Sequence, residues 1–485
     1  MNSTCNPVRS PRQLGLLIAL LAALLACACT TKMPYRVSGR TCDVTEALPD
    51  KEGAIQWEAM GADGHACGDA WQVNVGKPVP FSVNFVEFDD QGVFASRLQA
   101  EAALANAARP EVDGSYVVVF VHGWHHQARP GDGHVRGFYD ALASVSRWNP
   151  KRKIKGIYVG WRGDSIDLPY IDNLSFWDRK GTSDEVGRGA LLEFLLRLER
   201  EVKREPGDKD KLVLIGHSFG ASVTFNALSH VFLDRFVEGL YATNTAPRFR
   251  GYGDLVVLVN PAIEAMRFMP FQSALDFYAR KETQPRLDFS HEQRAALVIL
   301  SSEADFPTRR LFPVGRFFTT AFESHQRISD MASPDSAGHY GEWNMDLKTV
   351  GNYRDFQTHA TVKLAPPLPN EAQTAQKDLA GGLSESCRSV RKSDMRRLLN
   401  ISESAPDAEA FPDSRIKIRR LSKNRLEGSP YIVAAVDSEI VQGHNDIGGL
   451  NLVCWINQLL DTQESAERSL SEPVRAKSSA SKDYR

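Results

Sequence analysis

The chain lacks an excess of charge of either sign: 58 Lys and Arg stand against 60 Asp and Glu, a formal net charge of −2. Without a basic surplus to offset phosphate charge, nucleic-acid binding has no electrostatic footing, and the mixed charges read as a solvated surface. The seven cysteines, Cys5, Cys27, Cys29, Cys42, Cys67, Cys387 and Cys454, include no CxxC pair, so neither a zinc ribbon nor a thioredoxin-like redox site has support. There is no internal repeat. The one sustained apolar run, residues 14–26, is too short to span a bilayer as a stable helix. What is present is ordinary for a globular protein: 485 residues, 42% hydrophobic and 24% charged.

The N-terminus has a pattern of its own. Arg9 and Arg12 precede the apolar run, and Ala26-Cys27-Ala28-Cys29 closes it. A basic start, a short apolar middle and a small-residue exit form a secretory leader. The exit Leu24-Leu25-Ala26-Cys27 also resembles the processing box of bacterial lipoproteins. That resemblance implies that Cys27 is lipidated, becomes the new N-terminus and ties the chain to a membrane of the cell envelope. Leu24 stands three positions before Cys27, whereas Cys29 has Ala26 there, so Cys29 is the alternative. An ordinary secretory leader with incidental cysteines is the other reading. Both place the mature chain outside the cytoplasm, where disulfides persist. Cys42 and Cys67 are the nearest pair, although connectivity is not legible in a sequence.

Residues 28–80 have weak periodicity and read as a tether and a small irregular region. From Phe81 the sequence changes. Residues 81–88 alternate like a strand, and 96–108 read as a helix ended by Pro110. Short, fully apolar strands follow at 116–121, 154–159, 211–215, 254–259 and 296–300, with helices at 137–146, 186–203 and 221–236 between them. This succession predicts an α/β fold with a doubly wound, mostly parallel sheet. The polar stretch 324–428, with Pro366-Pro367 and Gly381-Gly382, reads as a long insertion before the last core strand, 431–436, and a helix near 450–460. The core thus divides into 81–323 and 429–462, and the Ser/Glu/Lys/Arg-rich tail 463–485 is expected to be disordered.

Chemistry concentrates at Gly216-His217-Ser218-Phe219-Gly220. A Gly-x-Ser-x-Gly string arises by chance roughly 0.1–0.2 times in a chain of this length and composition, so context decides. A strand directly before it and a helix directly after supply the strand–turn–helix setting of a nucleophile elbow, with the helix N-terminus facing a developing oxyanion. A serine hydroxyl needs a base, and the base an orienting group. His444, in Ile440-Val441-Gln442-Gly443-His444-Asn445-Asp446-Ile447 after the last strand, is the base candidate, ahead of His291, His325, His339 and His359. For the acid, the strand after the elbow ends at Asn260 where a carboxylate is wanted. The next ends Leu300-Ser301-Ser302-Glu303-Ala304-Asp305, so Asp305 leads, with Glu303 and Glu264 as alternatives. Val121-His122-Gly123-Trp124 follows an earlier strand and offers the Trp124 N–H to an oxyanion beside that of Phe219.

This order, His-Gly-x, Gly-x-Ser-x-Gly, a carboxylate after a late strand and a C-terminal histidine, resembles the α/β-hydrolase superfamily of esterase/lipase type over residues 81–460. The resemblance implies a serine hydrolase that cleaves a small-molecule or lipid ester through an acyl-enzyme and needs no cofactor. An amidase, thioesterase or acyltransferase shares that step, and a non-catalytic envelope scaffold is the alternative from another class. The separation of 139 positions from Asp305 to His444 departs from a compact member. His122, His125, His126 and His134 with Asp132 lack a second ligand cluster, and no metal is expected. Trp161-Arg162-Gly163-Asp164 follows a core strand and is not read as adhesive. Residues 165–187, with Leu168, Tyr170, Ile171, Leu174, Phe176 and Trp177, read either as a lid or acyl-binding wall or as a packed excursion.

Overall fold

The computed structural model describes residues 34–44, 65–72, 81–163, 172–204, 209–241, 249–278, 293–320, 341–362, 417–421 and 429–471. Residues 1–33 with Cys27 and Cys29, most of 324–428 and the residues beyond 471 lie outside the described residues, as do His291, His325 and His339. In chain order the elements are β1 (Arg36–Val44), β2 (Ala66–Gln72), β3 (Phe81–Glu87), α1 (Arg97–Ala107), β4 (Ser115–Val121), α2 (Gly133–Trp148) and β5 (Lys153–Gly160). Then come α3 (Asp172–Arg188), α4 (Leu191–Val202), β6 (Lys211–His217), α5 (Phe219–Leu240), β7 (Leu255–Val259), α6 (Ala265–Tyr278) and β8 (Leu297–Ser302). The last are α7 (Phe312–Thr320), α8 (Glu342–Leu347), β9 (His359–Val362), β10 (Lys417–Arg420), β11 (Tyr431–Val436) and α9 (Leu450–Ser471).

The chain is an α/β protein built on one mostly parallel sheet of order β1-β2-β3-β5-β4-β6-β7-β8-β11-β9-β10. From β3 to β9 every neighbouring pair is parallel; only β2–β3 and β9–β10 are antiparallel. Strands buried on both faces carry continuous apolar runs, and their period of two divides the core. Val117, Val119 and Val121 of β4 pack with α1, α4, α5 and α6 on one face. Tyr116, Val118 and Phe120 pack with α2 and α9 on the other. After β4 the chain moves to β5 on one side and then to β6 on the other, so the order reverses at the β4/β6 pair. Ligand sites in open α/β sheets form at the carboxyl edge beside such a reversal.

The predicted strands and helices are found, with extensions. Residues 28–80 are not wholly irregular: β1 and β2 add to the sheet. Their sequences are polar and carry Gly39 and Gly68, so no apolar alternation announces them. They are held by long-range contacts instead. Arg36 is fully buried with its guanidinium 3.6 Å from the Phe85 ring centroid, and the N–H groups of Tyr35 and Arg36 both donate to the Glu87 carboxylate at 2.9 Å. Cys67 and Cys454 are each held in a disulfide. Within 324–428, β9 pairs with β11 and carries the sheet past the strand it precedes. The final helix continues to Ser471, into the stretch expected to be disordered; Gln463, Glu464, Ala466, Glu467 and Arg468 are strong helix formers. Among the described residues no helix is long and apolar enough to cross a membrane.

The predicted helix at 186–203 is two helices broken at Gly189. A Cβ there would collide with the Gly92 backbone, whose carbonyl accepts the Ala190 N–H at 2.7 Å. Overpacking a site walled by backbone costs about 1–3 kcal/mol. Gly189→Ala should therefore lower unfolding free energy by about that much in urea titration. Gly341→Ala, with nothing within 4 Å of its Cβ position, should stay within about 0.5 kcal/mol of the parent.

Candidate active site

β6 ends and α5 begins at Ser218, whose backbone stands at φ 54°, ψ −117°. This left-handed conformation is costly for a residue with a Cβ, and neighbouring strands hold it. The Ser218 N–H donates to the Val259 carbonyl at 3.0 Å, and the Ser218 carbonyl accepts from the Ala262 N–H at 3.1 Å. Gly220 packs so closely under the end of β4 that a Cβ would overlap the carbonyl oxygens of Val121 and His122. Gly123 passes directly over the turn, its Cβ position 3.0 Å from Ser218 Cβ. The loop after β4 and the turn after β6 are thereby pressed together, with the rings of Trp124 and Phe219 6.1 Å apart.

Ser218 Oγ lies 2.8 Å from His444 Nε2, and His444 Nδ1 lies 2.8 Å from Asp305 Oδ1. A carboxylate only accepts, so Nδ1 carries the proton and Nε2 accepts from the Ser218 hydroxyl. Asp305 is fully buried. Its Oδ1 also accepts from the Thr308 N–H at 3.2 Å, and its Oδ2 accepts from the Thr308 hydroxyl. Ser218 is 4% exposed. The three residues ranked first from the sequence are thus brought together. The alternatives are not. Glu303 is exposed at the end of β8, and Glu264 is buried among Arg267 Nε at 2.9 Å, Lys180 Nζ at 3.5 Å and Arg316 Nη1 at 3.5 Å. His359 sits on β9 beside Thr358.

His444 is positioned by residues that sequence reasoning did not assign. The His444 carbonyl accepts from His217 Nε2 at 2.6 Å and from Asn260 Nδ2 at 3.1 Å, and Asn260 Nδ2 also reaches the Gly443 carbonyl at 3.1 Å. Asn260 Oδ1 accepts from the Ser302 N–H at 2.8 Å. One fully buried amide thus ties the strand that leads to Asp305 to the loop that carries His444. Ser302 Oγ adds a 2.6 Å bond to the Val441 carbonyl. Asn260 stands at φ 47°, a region Asn tolerates better than most residues. An Asn directly after an apolar strand was the only sequence signal for this role.

Further histidines line the inner side. Trp161 N–H only donates, so His122 Nε2 accepts it at 3.0 Å while Nδ1 donates to the Gly123 carbonyl at 2.9 Å. Both nitrogens are satisfied by the neutral ring, and burial holds its pKa down at about 4. Burial also lowers His134 and His217 well below the usual 6.5, with His217 further pressing down on His134 and His444 on His217. Asp132 caps α2 and accepts from the His126 ring at 3.0 Å. Among the described residues no group of three or more His, Cys, Asp or Glu is arranged to hold a metal.

The described part of 165–187 belongs to α3, and its C-terminal half is tied down. Lys180 Nζ is 3.1 Å from Asp184 and 3.3 Å from Ser222 Oγ, and Arg267 Nη2 is 2.6 Å from Asp184. Leu168, Tyr170 and Ile171, and the side chains of Leu174, Phe176 and Trp177, lie outside the described residues. Comparison with family models, curated proteins and solved structures finds no match for this chain.

Two predictions follow from this geometry. Asn260→Leu keeps the bulk but leaves the Ser302 N–H and the Gly443 and His444 carbonyls short of partners. At about 1–3 kcal/mol for a stranded buried group, the loss should read as a lower urea midpoint, and an unchanged midpoint would mean that the amide ties nothing. Second, the folded state keeps His122, His134 and His217 neutral, whereas the unfolded chain protonates them below pH 6.5. Folded chains then bind fewer protons, so stability is complete above pH 6.5 and falls as pH drops toward 4. For His122 the slope is about 1.4 kcal/mol per pH unit. Denaturant midpoints at pH 7 and pH 5 measure it.

Proposed function

We propose that the chain is an exported serine hydrolase of the α/β-hydrolase type, acting on carboxylic esters through an acyl-enzyme on Ser218. The observation that carries this reading is the continuous relay from Ser218 Oγ through both ring nitrogens of His444 to Asp305, each step 2.8 Å. The strand order β3-β5-β4-β6-β7-β8-β11, with the nucleophile after β6, the acid after β8 and the base after β11, agrees with it.

In the proposed mechanism Ser218 Oγ attacks the ester carbonyl as His444 Nε2 takes its proton. Asp305, held by Thr308, keeps Nδ1–H in place and stabilises the imidazolium. The N–H groups of Phe219 and Trp124 receive the oxyanion, in the pressed-together geometry that Gly220 and Gly123 permit. His444 returns the proton to the leaving alcohol, which departs. Water activated by the same ring then releases the acid and restores Ser218. No step calls for a cofactor. Export rests on the leader, and the disulfide-bonded Cys67 and Cys454 fit an oxidising compartment. Cys27, or alternatively Cys29, is the proposed lipid attachment site.

Ser218→Ala should abolish hydrolysis of short p-nitrophenyl esters and labelling by a fluorophosphonate. His444→Ala should lower kcat by at least about 10³-fold. A folded parent chain that takes no label sinks the catalytic reading. Parallel amide and thioester substrates decide whether esters are the preferred class.

A further inference from the structure

The segment after Asp305, Phe306-Pro307-Thr308-Arg309-Arg310-Leu311-Phe312-Pro313-Val314-Gly315-Arg316-Phe317, contains three arginines and no acid. It forms a π-helical turn, Pro307–Leu311, that runs directly into α7. Its inward face is fixed at four-residue spacing. Thr308, Phe312 and Thr320 are buried, and Arg316 pairs with Glu264 and Asp346. The opposite face is apolar and in water: Phe306 is 61% exposed, Leu311 45%, Val314 58% and Phe317 51%. Arg309 and Arg310 flank it, exposed, and among the described residues neither enters an ion pair. Aliphatic and aromatic side chains on one side of a short helix, with unpaired arginines beside them, are the composition of an interfacial helix.

The start of the described chain lies at the same edge of the sheet. β1 is parallel to β2, and β2 antiparallel to β3, so β1 begins at the carboxyl edge of the parallel strands. Tyr35 and Arg36 are pinned there by Glu87, the last residue of β3. Five strand spacings separate β3 from β8, roughly 24 Å at about 4.8 Å each. Cys27 precedes Pro34 by only seven positions, a reach of at most about 25 Å. A lipid on Cys27 would therefore keep Pro34, at this edge, within about 25 Å of the bilayer surface.

We propose that the carboxyl edge is a membrane-docking face. The exposed face of α7 enters the interface of an anionic phospholipid bilayer, and Arg309 and Arg310 meet its head groups. The tether part of this inference rests on the lipid-anchored esterase reading; the α7 part does not. Docking places the Ser218 hydroxyl over the bilayer surface and makes membrane-borne esters its substrate class.

The test uses the exported full chain carrying Cys27→Ser and Cys29→Ser, which removes any lipid and isolates the affinity of the protein surface. Vesicles of phosphatidylcholine with about one-third phosphatidylglycerol should co-sediment this chain, and pure phosphatidylcholine vesicles should retain at least tenfold less, since each basic residue near an anionic surface contributes about 1 kcal/mol. Leu311→Ser with Val314→Ser should lower binding to the anionic vesicles at least tenfold, as should Arg309→Glu with Arg310→Glu. Both pairs should leave hydrolysis of a soluble p-nitrophenyl ester unchanged, which also certifies folding, while slowing hydrolysis of an ester carried in the vesicles. Ser218→Ala should bind like its parent, so docking is read even if no ester is cleaved. Vesicle binding indifferent to both pairs, or a change in sedimentation-derived oligomeric state in place of lipid binding, overturns the proposal.

Discussion

The whole carboxyl edge depends on a turn that a residue with a side chain does not adopt on its own. Ser218 at φ 54° stores of order 1–3 kcal/mol of backbone strain, and it persists because elements on both sides specify it. β7 supplies an acceptor for its N–H and the loop beyond supplies a donor to its carbonyl. The parallel order around β6 places β4 and β7 on either side. With the turn made, α5 must leave in one direction, and Gly220 must lie against the end of β4. The loop His122-Gly123-Trp124 then packs directly across Ser218.

The same economy governs His444. His444 is 226 positions from Ser218 and 139 from Asp305, yet its carbonyl is held by His217, which precedes Ser218, and by Asn260, which follows the next strand. Closing so long a chain segment is less costly than its length suggests, because loop entropy grows only logarithmically, about 0.6 kcal/mol per doubling. β11 shares that closure, since its register beside β8 runs from Tyr431↔Leu297 to Val436↔Ser302. The last strand thus delivers the histidine loop to the end of the strand that delivers the acid. The long stretch between them is tolerated because it adds β9 beyond β11 and leaves the β8–β11 pairing intact.

What was legible in the sequence follows from this physics. Strands buried on both faces announce themselves as apolar runs, so β3 to β8 and β11 were readable. β1, β2, β9 and β10 have polar sequences such as Lys417-Ile418-Arg419-Arg420, and they form only because an established sheet offers them partners. The places of Ser218 and His444 were readable because the turn after β6 and the loop after β11 are tied to positions along the chain. For the acid the chain order ranked Asp305 first but left Glu303 and Glu264 as alternatives. That choice depends on which carboxylate the fold surrounds with cations, turns to water or aims at the histidine. Asn260 was read only as the wrong residue for an acid, because its work is done through contacts with Gly443 and His444 that no local pattern encodes.

The buried histidines acquire a meaning from the charge that the proposed mechanism develops. When Ser218 is deprotonated, His444 becomes cationic, with the His217 ring 5.0 Å away and the His134 ring 4.9 Å beyond that. A second cation at such a distance would oppose it by about 3 kcal/mol at an effective dielectric near 20, or more than a hundredfold in rate. Burial opposes this by lowering the pKa of His122, His134 and His217 and so favouring their neutral rings. His217 then acts as a donor to the His444 backbone without competing with its ring, and Asp305 is left as the charge that the imidazolium meets. The histidine-rich wall is thus a set of uncharged hydrogen-bonding groups, and in the proposed mechanism its neutrality leaves His444 alone to carry the proton.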